Sequence, residues 1–314
     1  MDQLGNLSQA IQNAIGWILS ESWIPPRDFE LLKWLSWPTY GAIMLGVVAL
    51  ELIRPYQRHK FGRETVLTGI YFVFAFKVTI FVVLLVPALT AVWVNQNLPS
   101  LHLDRVLPLP LYMLLGLLAI TFVDYWSHRL LHRIPLLWHI HKIHHAPKNL
   151  NWATRYHQHF GMEILHAPLW TVTSLFLGTE LVAPFGLIMI TIDYFQHANI
   201  DFNFRWLNYV ISTPQVHRYH HSTNPAHYDT NFGGTLVLWD QLFGTYTFDA
   251  KNPATEFGLD EEIPQSSIRQ QILPLVWIGR DVKRMIGSAP GRQAPAAALE
   301  GAIEQPTVGA AGGS

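Results

Sequence analysis

Apolar residues in this chain run in long blocks, and polar residues gather between the blocks rather than alternating with them. A first block covers residues 35–53. A second, 66–94, is broken only by Lys77 and Pro87, and a third runs from about 107 to 126 and ends in the polar group of Asp124. A helix needs about 20 apolar residues to cross the hydrocarbon core of a bilayer, so each block reads as a span, the second one tilted. A further stretch, 164–195, is interrupted by Gly178, Glu180 and Pro184. Its halves are each short for a crossing, which predicts a helical hairpin that enters and leaves one face. The expected fold is all-α: an integral membrane helical bundle carrying a helical, histidine-rich metal domain on its cytoplasmic face. No repeat at solenoid periods is present.

Charge gives the bundle a direction. The linker after the first span holds Arg54, Arg58, Lys60 and Arg63, whereas the loop after the second holds only Arg105. Positive charge marks the cytoplasmic side, which places that linker inside and the N-terminus outside. The segment after the third span, with Arg129, Arg133, Lys142, Lys148 and Arg155, then also lies inside. The expected divisions are an interfacial segment at 1–34 without signal-peptide features, spans within 35–121, a catalytic domain at 122–250 that includes the hairpin, a C-terminal extension at 251–286, and a disordered Ala/Gly/Pro-rich tail at 287–314.

Composition supports the membrane reading. Of 314 residues, half are apolar and 14% are charged, against about 25% charged in soluble domains. The net charge is -1, and no basic patch is dense enough to suggest nucleic acid. Cysteine is absent, so disulfides, thiolate metal sites and Cys-ligated iron–sulfur clusters are excluded and any metal is held by nitrogen or oxygen. Histidine is the anomaly: 16 copies, 13 of them between His128 and His221, where an even spread would place roughly five.

Nine of these form a pattern. HRLLH gives His128 and His132, HKIHH gives His141, His144 and His145, FQHANID gives His197, and HRYHH gives His217, His220 and His221. Side chains three or four residues apart share a helix face, and imidazoles so placed can share a metal. A lone histidine is ordinarily a core or surface residue, and a single HxxxH is common by chance. Two HxxHH groups and an HxxxH in one membrane chain are not, because buried imidazoles without partners cost free energy. Nine ligands are too many for one ion and suit two. His59, His102 and His227 are isolated, and His139, His157, His159 and His166 lie off the motif, where they are expected to support the ligands or the structure.

Two carboxylates stand one turn before a proposed ligand: Asp124 before His128 and Asp193 before His197. Each is a candidate either to accept the ring N–H that fixes a tautomer or, for Asp193, to ligate the metal itself. Glu163, Asp201, Asp229 and Asp240 make weaker candidates. Imidazole alone does not choose among iron, zinc and copper. GxSxG, P-loop, GxGxxG and HExxH motifs are all missing. A dinuclear site beside lipid suits O2 activation, since hydrocarbon C–H bonds are inert to acid–base chemistry. A non-redox, zinc-binding membrane protein is the alternative, and a bis-histidine haem protein leaves the triplets unexplained.

At these residues the chain resembles the fatty acid hydroxylase and sterol desaturase superfamily, over about 122–246, through DYWSHRLLH, HKIHH, HANID, TPQVHRYHH and NFGGTLVLWDQLFGTY. The resemblance implies an oxidoreductase with two iron ions, ligated by His128, His132, His141, His144, His145, His197, His217, His220 and His221. It implies O2 as cosubstrate, a fatty acyl, sterol, carotenoid or ether-lipid substrate, and an external electron donor. Some members carry a further histidine at the place of Asp193. The closing segment is similar to the alkylglycerol monooxygenase branch, which uses a reduced pterin; no pterin motif is readable here. The glycines of NFGG are expected to turn Trp239 and Phe243 back against the metal domain.

Overall fold

The computed structural model describes residues 37–58, 103–162, 165, 182–264 and 266–287. The N-terminal segment, the block at 66–94, most of the first arm of the expected hairpin and the tail beyond 287 lie outside the described residues. So do Glu163 and the side chain of His166.

The described chain is helical: α1 (Trp37–Ile53), α2 (Leu103–Val106), α3 (Leu109–Arg133), α4 (Pro135–His145), α5 (Val182–His197), α6 (Pro214–His220), α7 (Leu238–Phe243) and α8 (Ser267–Gly287). Short 3-10 turns lie at Trp152–Tyr156, Arg205–Tyr209 and Pro225–His227. Strand-like pairing among the described residues is limited to isolated bridges such as Pro55 with Ile200.

α3 has 25 residues and is, among the described residues, the one helix long and apolar enough to cross a membrane. Proline in its first turn sits where a missing N–H leaves no bond unmade. The helix does not stop where the apolar block does. No breaker interrupts 117–133, so the same helix runs past Trp126 and carries His128 and His132 on its far end. It ends at Ile134, with φ −99° and ψ 113°, because the residue before a proline is pushed out of the helical region. Pro135 then opens α4, and this one-residue hinge folds HKIHH back towards HRLLH.

α5 is described from Val182, includes Pro184 and ends on His197. Tyr112 and Ile120 of α3 pack against Phe185 of α5, with Leu117, Ile188 and Met189 around them. α1 is fastened to the chain on both sides of α5: Glu51 accepts hydrogen bonds from the backbone N–H of Asn199 (2.5 Å) and Trp152 (2.9 Å). Apolar side chains also face outward. Leu45 and Leu52 of α1 are 72% and 79% exposed, and Leu114 of α3 is 53% exposed.

Candidate metal centre

The structure brings the nine motif histidines together in two adjacent groups. His128, His132, His141, His145 and His220 form one; His144, His197, His217 and His221 form the other, and the candidate ligand atoms within each group all lie within 4.8 Å of one another. Each triplet divides between the groups. On α4, His141 and His145 turn to the first group and His144 to the second; on α6 and its C-cap, His217 and His221 turn to the second and His220 to the first. Residues i and i+4 differ by only about 40° around a helix, while residue i+3 lies about 60° to the other side. One short helix can thus serve two neighbouring sites.

Within the groups, ring nitrogens face each other at close range. Nε2 of His141 is 3.0 Å from Nε2 of His128 and 3.1 Å from that of His145. Nε2 of His197 is 3.0 Å from those of both His144 and His217, and His217 is 3.1 Å from His221. Nitrogens at about 2.1 Å from a common ion stand about 3.0 Å apart when they are at right angles and about 3.4 Å apart in a tetrahedron.

Backbone carbonyls fix the tautomer of three of these rings. Nδ1 of His128 donates to the carbonyl of Phe232 (2.8 Å), that of His197 to the carbonyl of Asp193 (2.6 Å), and that of His220 to the carbonyl of Thr230 (2.8 Å). A neutral imidazole with Nδ1–H has an unprotonated Nε2. Nε2 of His220, like that of His132, is buried with no hydrogen-bond partner. Burial first, and then the neighbouring imidazoles, hold His141, His144, His145, His217 and His221 well below the usual histidine range. Burial does the same for His220, with His128 adding to it. Neutral imidazoles, convergent lone pairs and orphaned buried nitrogens are the donor set that a first-row metal ion takes, so these residues fit a two-ion site.

The surrounding chain holds these rings in place. The carboxylate of buried Asp240 accepts from the backbone N–H of Phe232 and Gly233 (both 2.8 Å) and from the Thr245 hydroxyl (2.7 Å), which fixes the loop whose Phe232 carbonyl anchors His128. A side chain at Gly233 would meet the backbone oxygen of Leu236 at 2.4 Å. Trp239 donates to Thr121 (3.0 Å), and Phe243 stacks on Tyr125 at 5.5 Å, so this segment returns against α3 as its glycines predict.

Both candidate aspartates stand one step further out than their spacing suggests. The ring N–H of His128 goes to Phe232 rather than to Asp124, whose carboxylate accepts instead from the backbone N–H of Gly234. Asp193 is outside both histidine groups. Its backbone carbonyl anchors His197, while its carboxylate is ion-paired with Arg155 and accepts from Gln196 (2.6 Å). Asp229 lies 3.8 Å from His132 Nδ1, and Asp201 donates its backbone N–H to Arg54. The off-motif His139, His157 and His159 all reach α8, through Asp281, Gln270 and the Gln271 carbonyl. The anchoring carbonyls had no signal in the sequence. The brace did, since an aspartate inside WDQLFGTY is conspicuous in an otherwise aromatic segment.

Residues 113–245 match the family model described as fatty acid hydroxylase. The chain is 31% identical over 185 residues to ornithine lipid hydroxylase OlsE of Rhizobium tropici, covering 58% of this chain and 55% of that protein. It is 29% identical over 176 residues to alkylglycerol monooxygenase of Homo sapiens, covering 55% and 37%. A 28% identity over 195 residues relates it to Protein CER1-like 2 of Arabidopsis thaliana, covering 57% and 30%. The matched region thus spans between 30% and 55% of the length of these relatives. No solved structure matches the chain. Residues 113–245, the stretch that this family model matches, hold all nine clustered histidines.

Proposed function

We propose that this protein is a membrane-embedded, O2-dependent lipid hydroxylase. It holds one iron ion among His128, His132, His141, His145 and His220 and a second among His144, His197, His217 and His221. The observation that carries this reading is the convergence of nine imidazoles, seven of them buried and two partly buried, into two adjacent groups. When bound, the ions supply the O2 activation that attack on an unactivated C–H bond requires. Overall, one O2, two electrons and two protons convert a lipid C–H to C–OH and release one water. The electrons come from an external donor, a partner protein or a small reductant such as a reduced pterin.

The chain's own groups keep the imidazoles ready. The carbonyls of Asp193, Thr230 and Phe232 take the outer ring protons of three histidines, which leaves Nε2 free to bind. Burial holds the rings neutral and keeps bulk water away. The outward apolar faces of α1 and α3 support a bilayer around the first and third spans, and the basic linkers favour a histidine site at its cytoplasmic face. The relatives named as an ornithine lipid hydroxylase and an alkylglycerol monooxygenase favour a lipid substrate, and hydroxylation over desaturation.

The test is incubation of iron-loaded protein with membrane lipid, a reductant and isotopically heavy O2, followed by mass analysis of the lipid. Gain of one heavy oxygen atom in the lipid is expected. Loss of two hydrogens without oxygen would make the protein a desaturase, and iron-loaded protein that leaves every lipid unchanged with either kind of donor would overturn the oxygenase reading.

A further inference from the structure

α8 is amphipathic in the reverse of the usual sense: its polar groups face the protein and its apolar groups face out. On the inner side, Asp281 bonds His139 at 2.8 Å, Gln270 bonds His157 at 2.9 Å, and the Gln271 carbonyl accepts from His159 at 2.9 Å. Trp277 lies under the ammonium of Lys142, 3.8 Å from the ring centre. On the opposite side Ile268, Ile272, Leu275, Val276 and Ile286 form a stripe at helical spacing, with exposures of 72%, 52%, 49%, 46% and 76%. A helix in water buries such a stripe against its own core; here that place is taken by hydrogen-bonding groups.

The stripe is edged by charge of one sign. Arg269, Arg280, Lys283 and Arg284 are all exposed, while the acidic residue of the helix, Asp281, is turned towards His139. Position adds to this. α8 packs on α4, which follows the spanning helix α3 after the single residue Ile134, so α8 is held beside the end of the span. We propose that α8 lies in the plane of the membrane on an anionic phospholipid leaflet, with its apolar stripe among the acyl chains and its basic edge on the phosphates. Long cationic side chains flanking an apolar face suit this depth, since their stems bury while their heads stay at the headgroups. A second copy of the chain is disfavoured as the occupant, because pairing two such stripes would bring like charges together. α8 also carries the partners of His139, His157 and His159, so a leaflet that seats it braces the back of the histidine domain.

The chain has no cysteine, which makes nitroxide labelling direct. Ile272→Cys, Leu275→Cys and, as an exposed reference, Glu262→Cys are labelled in the full-length protein. Each is placed in nanodiscs of phosphatidylcholine with and without phosphatidylglycerol. At 272 and 275 collision with O2 should exceed collision with a water-soluble nickel chelate, and at 262 the order should reverse. Adding Arg269→Glu and Arg280→Glu should raise chelate access at 272 in the anionic discs and leave the zwitterionic discs unchanged. Ready chelate access at 272 and 275 in both discs would overturn the proposal. Protection from both reagents would also overturn it, since the stripe would then be covered by protein; short distances between labels on separate chains would identify a second copy. None of these readings requires metal or turnover, so their failure is separable from failure of the hydroxylase assignment.

Discussion

Nε2 of His197 stands 3.0 Å from Nε2 of His144, although 53 positions separate the two residues. The Nδ1 proton of His197 is committed to the Asp193 carbonyl, so Nε2 presents a lone pair to its neighbour rather than a hydrogen. This contact ties the two residues to the four-histidine group.

Removing one ligand from each group should therefore remove different ions. His197→Ala is expected to drop bound iron from two per chain to one by emptying the four-histidine group, and His141→Ala to do the same in the five-histidine group. Both should lose turnover, because the chemistry needs the pair. Elemental analysis of purified variants is the check. Two ions and normal turnover in both would sink the ligand assignment.

Asp240 bonds to Phe232, Gly233 and Thr245, and so holds the loop that anchors His128. Asp240→Ala would leave the N–H groups of Phe232 and Gly233 without their acceptor, at about 1–3 kcal/mol for each buried donor. Iron affinity should weaken roughly 10- to 100-fold, and the loss should fall on the five-histidine group, since His128 leans on Phe232. Competition with a chelator reads this out; unchanged affinity and thermal stability would remove Asp240 from the account.

The two loop glycines should differ in tolerance. A Cβ at Gly233 meets backbone, the Leu236 oxygen, at 2.4 Å, whereas one at Gly234 meets the tip of Asp124 at 2.8 Å. Gly233→Ala should lower the melting temperature well beyond Gly234→Ala, by about 1–3 kcal/mol or more of overpacking. Shortening Asp124 should rescue only Gly234→Ala. Equal effects of the two substitutions would mean that the loop moves freely.

Asp193→Ala should keep two ions per chain. The group that anchors His197 is the backbone carbonyl of residue 193, and the carboxylate is committed to Arg155 and Gln196. The expected deficit is in stability, with Arg155 losing its ion pair, and Asp193→His should add no ion. Loss of one ion in Asp193→Ala would show that the carboxylate ligates after all.

Acid sensitivity has a residue-level source away from the metal site. Burial lowers His157 to about 4, partly offset by its bond to Gln270. Unfolded chains take up this proton near pH 6.5, and the folded chain takes it up only near 4. Between those values the unfolded state binds more protons, so stability falls as pH falls, by up to about 1.4 kcal/mol per pH unit from this residue. His157→Gln should flatten the slope of stability against pH by about one proton between pH 6 and 4.5, measured by denaturant unfolding in detergent. An identical slope would place the titration elsewhere.

Much of this architecture was legible in the chain. Apolar blocks marked α1 and α3, and HRLLH, HKIHH, FQHANID and HRYHH singled out the same nine imidazoles that the structure gathers. Helical period explains that success: it acts within one element and depends on local spacing alone. Where α3 ends was less legible, since the change from apolar to polar residues at Asp124 marks a change of surroundings and not of backbone conformation.

The division of the histidines into five and four was decided by tertiary structure. Spacing shows that His144 points away from His141 and His145, but which partners it meets depends on how α4, α5 and α6 cross, and that is fixed by loops and packing far from the motif. The same holds for Asp124 and Asp193. Their spacing allowed each carboxylate to reach a histidine, but the rings chose backbone carbonyls, and every residue carries a carbonyl. A group present at all positions leaves no mark in a sequence, so the fold alone selects Asp193, Thr230 and Phe232 to hold the site.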